Sequence, residues 1–484
     1  MDKKQTALAS VATSLLLAFS TFDLARADEL RSTLTDQESV AVTIYNEDLA
    51  LIKDTRRLHL NAGQLDLALR DVSGKIRPET AQLRSLSHAG SFSVLEQNFD
   101  FDLLTPEKLL EKFVGRSVGI VRSHPTTGAE TIERAEVLSA AQGVVLRMGD
   151  RIEVGVPGRI VFDSVPANLR DRPTLVVQLQ NKTAADQQLE LTYLSGGLAW
   201  RADYVAELNS SDTQLDLSGW VTLTNQSGTS FTNAKLQLVA GDVHRVRQEF
   251  DQIRPAVARM KSQAREEGAG FAEQSLLDYH LYTLGRPTTI SDNQTKQVAL
   301  LSAVNVPAKK EFVLQGADYY YRAMYSDLGT KMKVGVFVET KNDELSHLGM
   351  PLPKGTIRVY KKDRDGSAQF VGEDNIDHTP KNEIVRLKLG DAFDVTADKK
   401  QSSFRKADAV GRYSYAAEME YEITIKNAKK ESVVVVVKEP IPGDWQMLSE
   451  SVPHDKAAAH IALWRVNVPA EAQTVLKYKV LVRI

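Results

Sequence analysis

The 484-residue chain contains no cysteine. That excludes disulfides, thiolate nucleophiles, thiolate metal sites and the acylated cysteine of a lipoprotein. Strong charge of one sign is missing too: 60 Lys and Arg stand against 63 Asp and Glu, a formal net charge of −3. With no basic run either, nucleic acid is a poor partner, and strong attraction to anionic lipid is disfavoured. After the first 27 residues no apolar run approaches the roughly 20 residues that a bilayer-spanning helix needs, so no transmembrane segment is expected. No His-Glu-x-x-His pattern occurs, which removes the commonest helical zinc site. No fixed internal repeat is visible, which disfavours a solenoid or propeller.

What is present begins with a leader. Lys3 and Lys4, an apolar stretch from Ala7 to Phe19, and Ala25-Arg26-Ala27 follow the order of a secretory signal cleaved after Ala27. The arginine pair of twin-arginine export is absent. The expectation is Sec export of a soluble mature chain that begins at Asp28 and is periplasmic or secreted.

Beyond residues 1–27 the period of the apolar residues is mostly two. Val40, Val42 and Ile44, then Leu49 and Leu51, predict a strand, a turn at Asn46-Glu47-Asp48, and a second strand. Thr105 as N-cap, Pro106 at the first helical position and Glu107 near the positive helix end predict a helix over 105–114, stopped by Gly115. It closes an N-terminal β segment, 28–115. Short alternating runs punctuated by Gly128, Gly143, Gly149-Asp150 and Pro157-Gly158 predict a small β-barrel over 116–166. Strands at regular spacing predict a central β-sandwich over 167–400, broken at 243–274 by a polar, weakly periodic stretch that reads as a mobile excursion. Ala417 to Lys426, the β-branched run Val433 to Val437, and Val475 to Val482, with Trp445 and Trp464 as bulk, predict a C-terminal immunoglobulin-like sandwich over 405–484. The fold class is therefore mostly β: sandwich domains, a small inserted barrel and one short helix.

Two stretches carry residues with chemistry. Glu373, Asp374, Asp377 and His378 supply hard oxygen donors and an imidazole, a set that can hold a divalent cation. The same residues also suit a structural loop in which carboxylates accept backbone amides, and that reading is favoured. Trp200, Arg201, Asp203 and Tyr204 follow Gly196-Gly197 and could form a ligand platform, joined by Tyr320 of the run Tyr319-Tyr320-Tyr321. Trp200 as a core anchor beside a bulge is the commoner outcome. Asp363-Arg364-Asp365-Gly366 resembles a calcium loop but has Ala368 where Gly is needed and Asp374 where Glu is needed, so it predicts a hairpin turn. Gly115-Arg116-Ser117-Val118-Gly119 spells a nucleophile elbow, yet a helix precedes it and a strand follows, the reverse of what that motif requires.

The wording of Val371 to Val395, of Ile44 to Ile52, of Val94 to Phe99, of Gly196 to Tyr204 and of Thr295 to Leu301 resembles the domain of unknown function 4139 family. Its members are secreted or envelope-associated bacterial proteins, some related to the mucoidy inhibitors. The resemblance implies a β-rich fold and an envelope address, and implies no activity. The expectation is an exported, non-enzymatic binding or scaffolding protein whose partner is an envelope protein or glycan. One alternative is a metal-assisted hydrolase of an envelope polymer, with Asp374, Asp377 and His378 around the ion and Glu373 as base. Another is a carbohydrate-binding module using Trp200 and Tyr320. No cofactor is expected other than a divalent ion at the acidic cluster.

Overall fold

A computed structural model describes residues 29–484 apart from 47, 101–102, 142, 167–168, 242–270, 277–278, 326, 364 and 410. The leader and most of the excursion expected at 243–274 lie outside the described residues. The end of that excursion is corrected: Phe271–Leu276 is a strand antiparallel to Tyr279–Leu284. The chain is mostly β and divides into two compact units. The first takes in the chain up to Asp36, Arg57–Arg70 and Ser85–Gln188; the second takes in Gln37–Arg56, Asp71–Arg84 and Leu189–Ile484.

In the first unit, Leu30–Ser32, Gly63–Arg70, Thr174–Asn181 and Phe92–Asp100 form a four-stranded sheet in that order. Leu65, Leu67 and Leu69 lie opposite Leu179, Val177 and Leu175, all buried. The two-residue period puts all six on one face. The expected helix is present as Pro106–Lys112, its N-cap Thr105 accepting from the Lys108 amide at 3.2 Å. Gly115 stops it at φ +77°, a conformation open to glycine.

The barrel expected over 116–166 is instead an open antiparallel sheet in the order Arg151–Val154, Val145–Met148, Glu130–Ser139, Ser117–Ser123, Arg159–Val161. Closure would need the first and last of these to pair. Each pairs on one side only, with Val145–Met148 and with Ser117–Ser123 respectively. The helix supplies what closure would have supplied: Leu110 and Phe113 pack on Val118, Ile120, Val137, Leu146 and Met148. The outer edge is left wet, with Ile152 63% and Val154 87% exposed.

Three further sheets take most of their residues from the second unit. One has eight strands, among them Gln37–Tyr45 and Leu49–Leu60, the strand-turn-strand pair expected around Asn46-Glu47-Asp48. The second runs Gln294–Pro307, Gln214–Asn225, Leu198–Leu208, Gly355–Lys362, Ala368–Ile376. Asp363 caps the hairpin between its last two strands, its Oδ1 accepting from the amides of Asp365 and Ser367.

The third sheet has nine strands in the order Asp444–Glu450, Ala472–Arg483, Ala416–Asn427, Ile384–Ala407, Gly329–Lys341, Lys309–Gln315, Val433–Pro440, Ile461–Val468, Asp455–Ala458. Trp464, from the next-to-last strand, stacks on Tyr478, from the second, at 4.7 Å between ring centroids. Strands from opposite ends of the order therefore meet face to face, and the sheet doubles over into two layers. The sandwich expected from residue 405 also takes in strands from Lys309 onward. Asp318–Tyr321 is a 3-10 turn rather than a strand, so Tyr320 and Tyr321 are both buried while Tyr319 is exposed.

The open sheet makes a contrasting prediction for two positions. Val154→Ser should change stability by less than about 0.5 kcal/mol, whereas Leu146→Ala, in the buried layer, should cost roughly 2–5 kcal/mol. Denaturant melts of the two variants measure this; a large loss at Val154 would mean that its side chain is enclosed.

Candidate functional site

Residues from both sequence-predicted sites meet on one face of the five-stranded sheet. In the strand Leu198–Leu208, Trp200, Ala202 and Tyr204 point into the core, and Arg201 and Asp203 lie on the opposite face, Arg201 exposed and Asp203 buried. Burial raises the Tyr204 phenol far above its ordinary range, and its hydroxyl donates to the Pro353 carbonyl at 2.8 Å. The turn before this strand needs its glycine. Gly197 has φ +80°, and a Cβ there would stand 2.7 Å from the Gln226 carbonyl oxygen.

On the face of Arg201 and Asp203 a chain of polar groups crosses five strands. Gln297 donates to the Thr222 hydroxyl at 3.2 Å, and that hydroxyl donates to Asp203 Oδ2 at 2.6 Å. Arg201 donates to Oδ2 at 3.0 Å, and Arg358 donates to Oδ1 at 3.2 Å. Arg358 also pairs with Glu373 at 3.2 Å. Burial opposes the Asp203 charge, but the donors Thr222, Arg358 and Arg201 outweigh it and hold the carboxyl below its ordinary value. Asp203 is therefore a satisfied anion, poorly suited to act as a base at neutral pH.

The remaining members of the acidic group are spent separately. Asp374, on the opposite face of the strand from Glu373, accepts the amides of Asn375 at 2.9 Å and Lys388 at 2.7 Å. Asp377 is exposed, and His378 Nδ1 accepts the Lys354 amide at 3.2 Å. Among the described residues no three His, Asp or Glu side chains are placed to hold a metal ion. Tyr320 sits in the core of the nine-stranded sheet, whereas Trp200 belongs to the five-stranded one, so the proposed platform is not assembled.

Two features escaped the sequence reading. One is a set of exposed large apolar side chains on two strands that touch, Ala368–Ile376 and Ile384–Ala407. Gly372 lies against the Leu389 carbonyl there, and a Cβ would come within 2.4 Å of its oxygen. On the chain leading from that contact Phe370 is 56%, Val371 37% and Phe393 95% exposed. Burial parity alone could not have found it, because both strands carry apolar residues on the wet face.

The other is a buried ion pair. Lys399 and Glu439 side chains are 0% and 1% exposed and 2.7 Å apart. Tyr321 donates to the second Glu439 oxygen at 2.7 Å, and Lys399 lies 3.2 Å from the Tyr478 hydroxyl. The rings of Tyr320 and Tyr421 lie 4.3 and 4.9 Å from the ammonium nitrogen. The signal was available: Lys399 continues the inward series Val395, Ala397, and Glu439 continues Val433, Val435, Val437.

The Asp203 network predicts an acid-sensitive contribution to stability. Its folded pKa lies below the ordinary 3.8, so the contribution is complete above that value and disappears as pH falls through the lower folded one. Asp203→Ala should cost roughly 1–3 kcal/mol at pH 7 and flatten the loss of stability on acidification. Denaturant melts at neutral and strongly acidic pH check both; an unchanged acid dependence would remove Asp203 from the account.

Among curated proteins none matches the chain. The family model described as Domain of unknown function (DUF4139) matches residues 189–484, well over half of the chain, and the chain belongs to that family.

Proposed function

We propose that the chain is an exported, non-enzymatic binding or scaffolding protein of the bacterial cell envelope, released to the periplasm or beyond after cleavage behind Ala27. The observation that carries the binding role is the exposure of Phe370, Val371 and Phe393 on two strands that touch. Large apolar side chains left exposed are characteristic of contact surfaces, and aromatic residues are enriched there. Export rests on the leader sequence.

The polar residues of the alternative readings have other work. Glu373 neutralises Arg358, Asp374 ties two strands through backbone amides, and Trp200 and Tyr320 are core residues. The binding surface recognises an apolar or aromatic patch on another envelope protein.

Crosslinking in intact cells followed by recovery of the chain tests this. A partner should be recovered reproducibly with the wild type and several-fold less with Phe370→Ser and Phe393→Ser combined, while the thermal melt of the double variant stays close to wild type. Equal recovery from both would overturn the role of this surface. Elemental analysis with melts in the presence and absence of a chelator should show no stoichiometric metal and no shift; bound Ca, Mn or Zn with a lowered melt would favour the hydrolase instead.

A further inference from the structure

We propose that Lys399 and Glu439 condense to an intramolecular isopeptide bond, so that the mature nine-stranded sandwich carries a covalent crosslink between its layers. The two groups are already in contact, Nζ to Oε1 at 2.7 Å, with essentially no exposure on either side. No sequence feature brings them together, since 40 residues separate them and two other strands, Gly329–Lys341 and Lys309–Gln315, lie between theirs in the sheet order. Tertiary packing alone makes the contact.

The site has the parts that amide formation requires. Burial lowers the Lys399 pKa, with the neighbouring Glu439 carboxylate working against that trend. Within the contact a proton passes from the ammonium to the carboxylate, giving a neutral amine beside a neutral acid. The Nζ lone pair then attacks the Glu439 Cδ. Tyr321, donating to Oε2 at 2.7 Å, stabilises the developing oxyanion. The nitrogen passes the proton it sheds to Oε1, 2.7 Å away, which departs as water, while the Tyr478 hydroxyl, 3.2 Å from Nζ and 2.8 Å from the Tyr321 hydroxyl, holds the amine and the oxyanion donor in place. One C–N bond forms, one C–O bond breaks, and one water leaves; no oxidant, reductant or co-reactant takes part.

The surroundings favour the product. In water a carboxylate and an ammonium remain apart as ions. Here a dry site holds them at an effective concentration that for well-oriented groups reaches on the order of 10⁵–10⁸ M. Condensation also replaces two buried charges by one neutral amide, removing a desolvation cost. Gly316 makes room for the reacting carboxyl, because a Cβ there would lie 2.3 Å from Oε2 and 2.7 Å from Oε1.

The test is the intact mass of the denatured full-length wild-type protein, followed by proteolysis and fragment sequencing. The mass should fall short of the sequence mass, corrected for leader cleavage, by one water, and the digest should contain a branched peptide joining the segments around Lys399 and Glu439. Lys399→Arg keeps the charge and should show the full mass, which separates the crosslink from water lost elsewhere. Glu439→Gln can reach the same amide by releasing ammonia and should yield the same branched peptide. A wild-type mass without deficit, or a deficit that persists in Lys399→Arg with no branched peptide, would overturn the proposal, whatever the folding of the variants.

Discussion

Lys399 and Glu439 place a full ion pair where no water reaches, and the surrounding sandwich is arranged to make that tolerable. Removing two charges from water costs several kcal/mol per ion unless every polar atom finds a partner. Glu439 receives Lys399 on one oxygen and Tyr321 on the other, and Tyr321 in turn meets Tyr478 at 2.8 Å. The faces of Tyr320 and Tyr421 turn their negative quadrupoles toward the ammonium. This arrangement dictates local structure. Asp318–Tyr321 must turn as a 3-10 segment to send two consecutive tyrosines inward, where a strand would have sent them to opposite sides.

The aromatic residues serve two purposes at once. Trp464, Tyr478 and Tyr421 stack in series, at 4.7 and 5.1 Å, and Tyr321 meets Tyr421 edge-on. Their rings fill the space between the two layers while the hydroxyls of Tyr321 and Tyr478 reach the ion pair, so packing and polar satisfaction cannot be separated in this core. The five-stranded sheet solves the opposite problem. There the polar chain from Gln297 to Glu373 lies on the face opposite Trp200 and Tyr204, and its groups tie five neighbouring strands side by side.

Period-two patterning made the strands legible, and the capping residues at Thr105, Pro106 and Gly115 made the helix legible. Pairing partners were not legible, which is why the sheet at 117–161 read as a barrel: turn signals report where strands end, not which edges meet. The acidic cluster misled for a related reason. Glu373 and Asp374 are adjacent in sequence, but on a strand adjacency means opposite faces, so density along the chain did not become density in space. Lys399 and Glu439 show the converse. Each sits in phase with buried valines, and a charged residue in a core register position announces a buried partner whose identity only tertiary contact reveals.

A chain without cysteine has no disulfide with which to tie distant strands. Backbone ladders join neighbours in the nine-stranded sheet, but nothing in a ladder joins Ile384–Ala407 to Val433–Pro440 across the two strands that separate them. The Lys399–Glu439 contact makes that connection through side chains. As an ion pair it can part whenever water enters. As an amide it would close a loop of 40 residues, which in the chain-entropy treatment of crosslinks is worth about 4 kcal/mol. Exposed apolar groups such as Phe393 sit on one of the two strands so joined, so the same link that stiffens the core would also limit opening of the strand that bears the proposed contact surface.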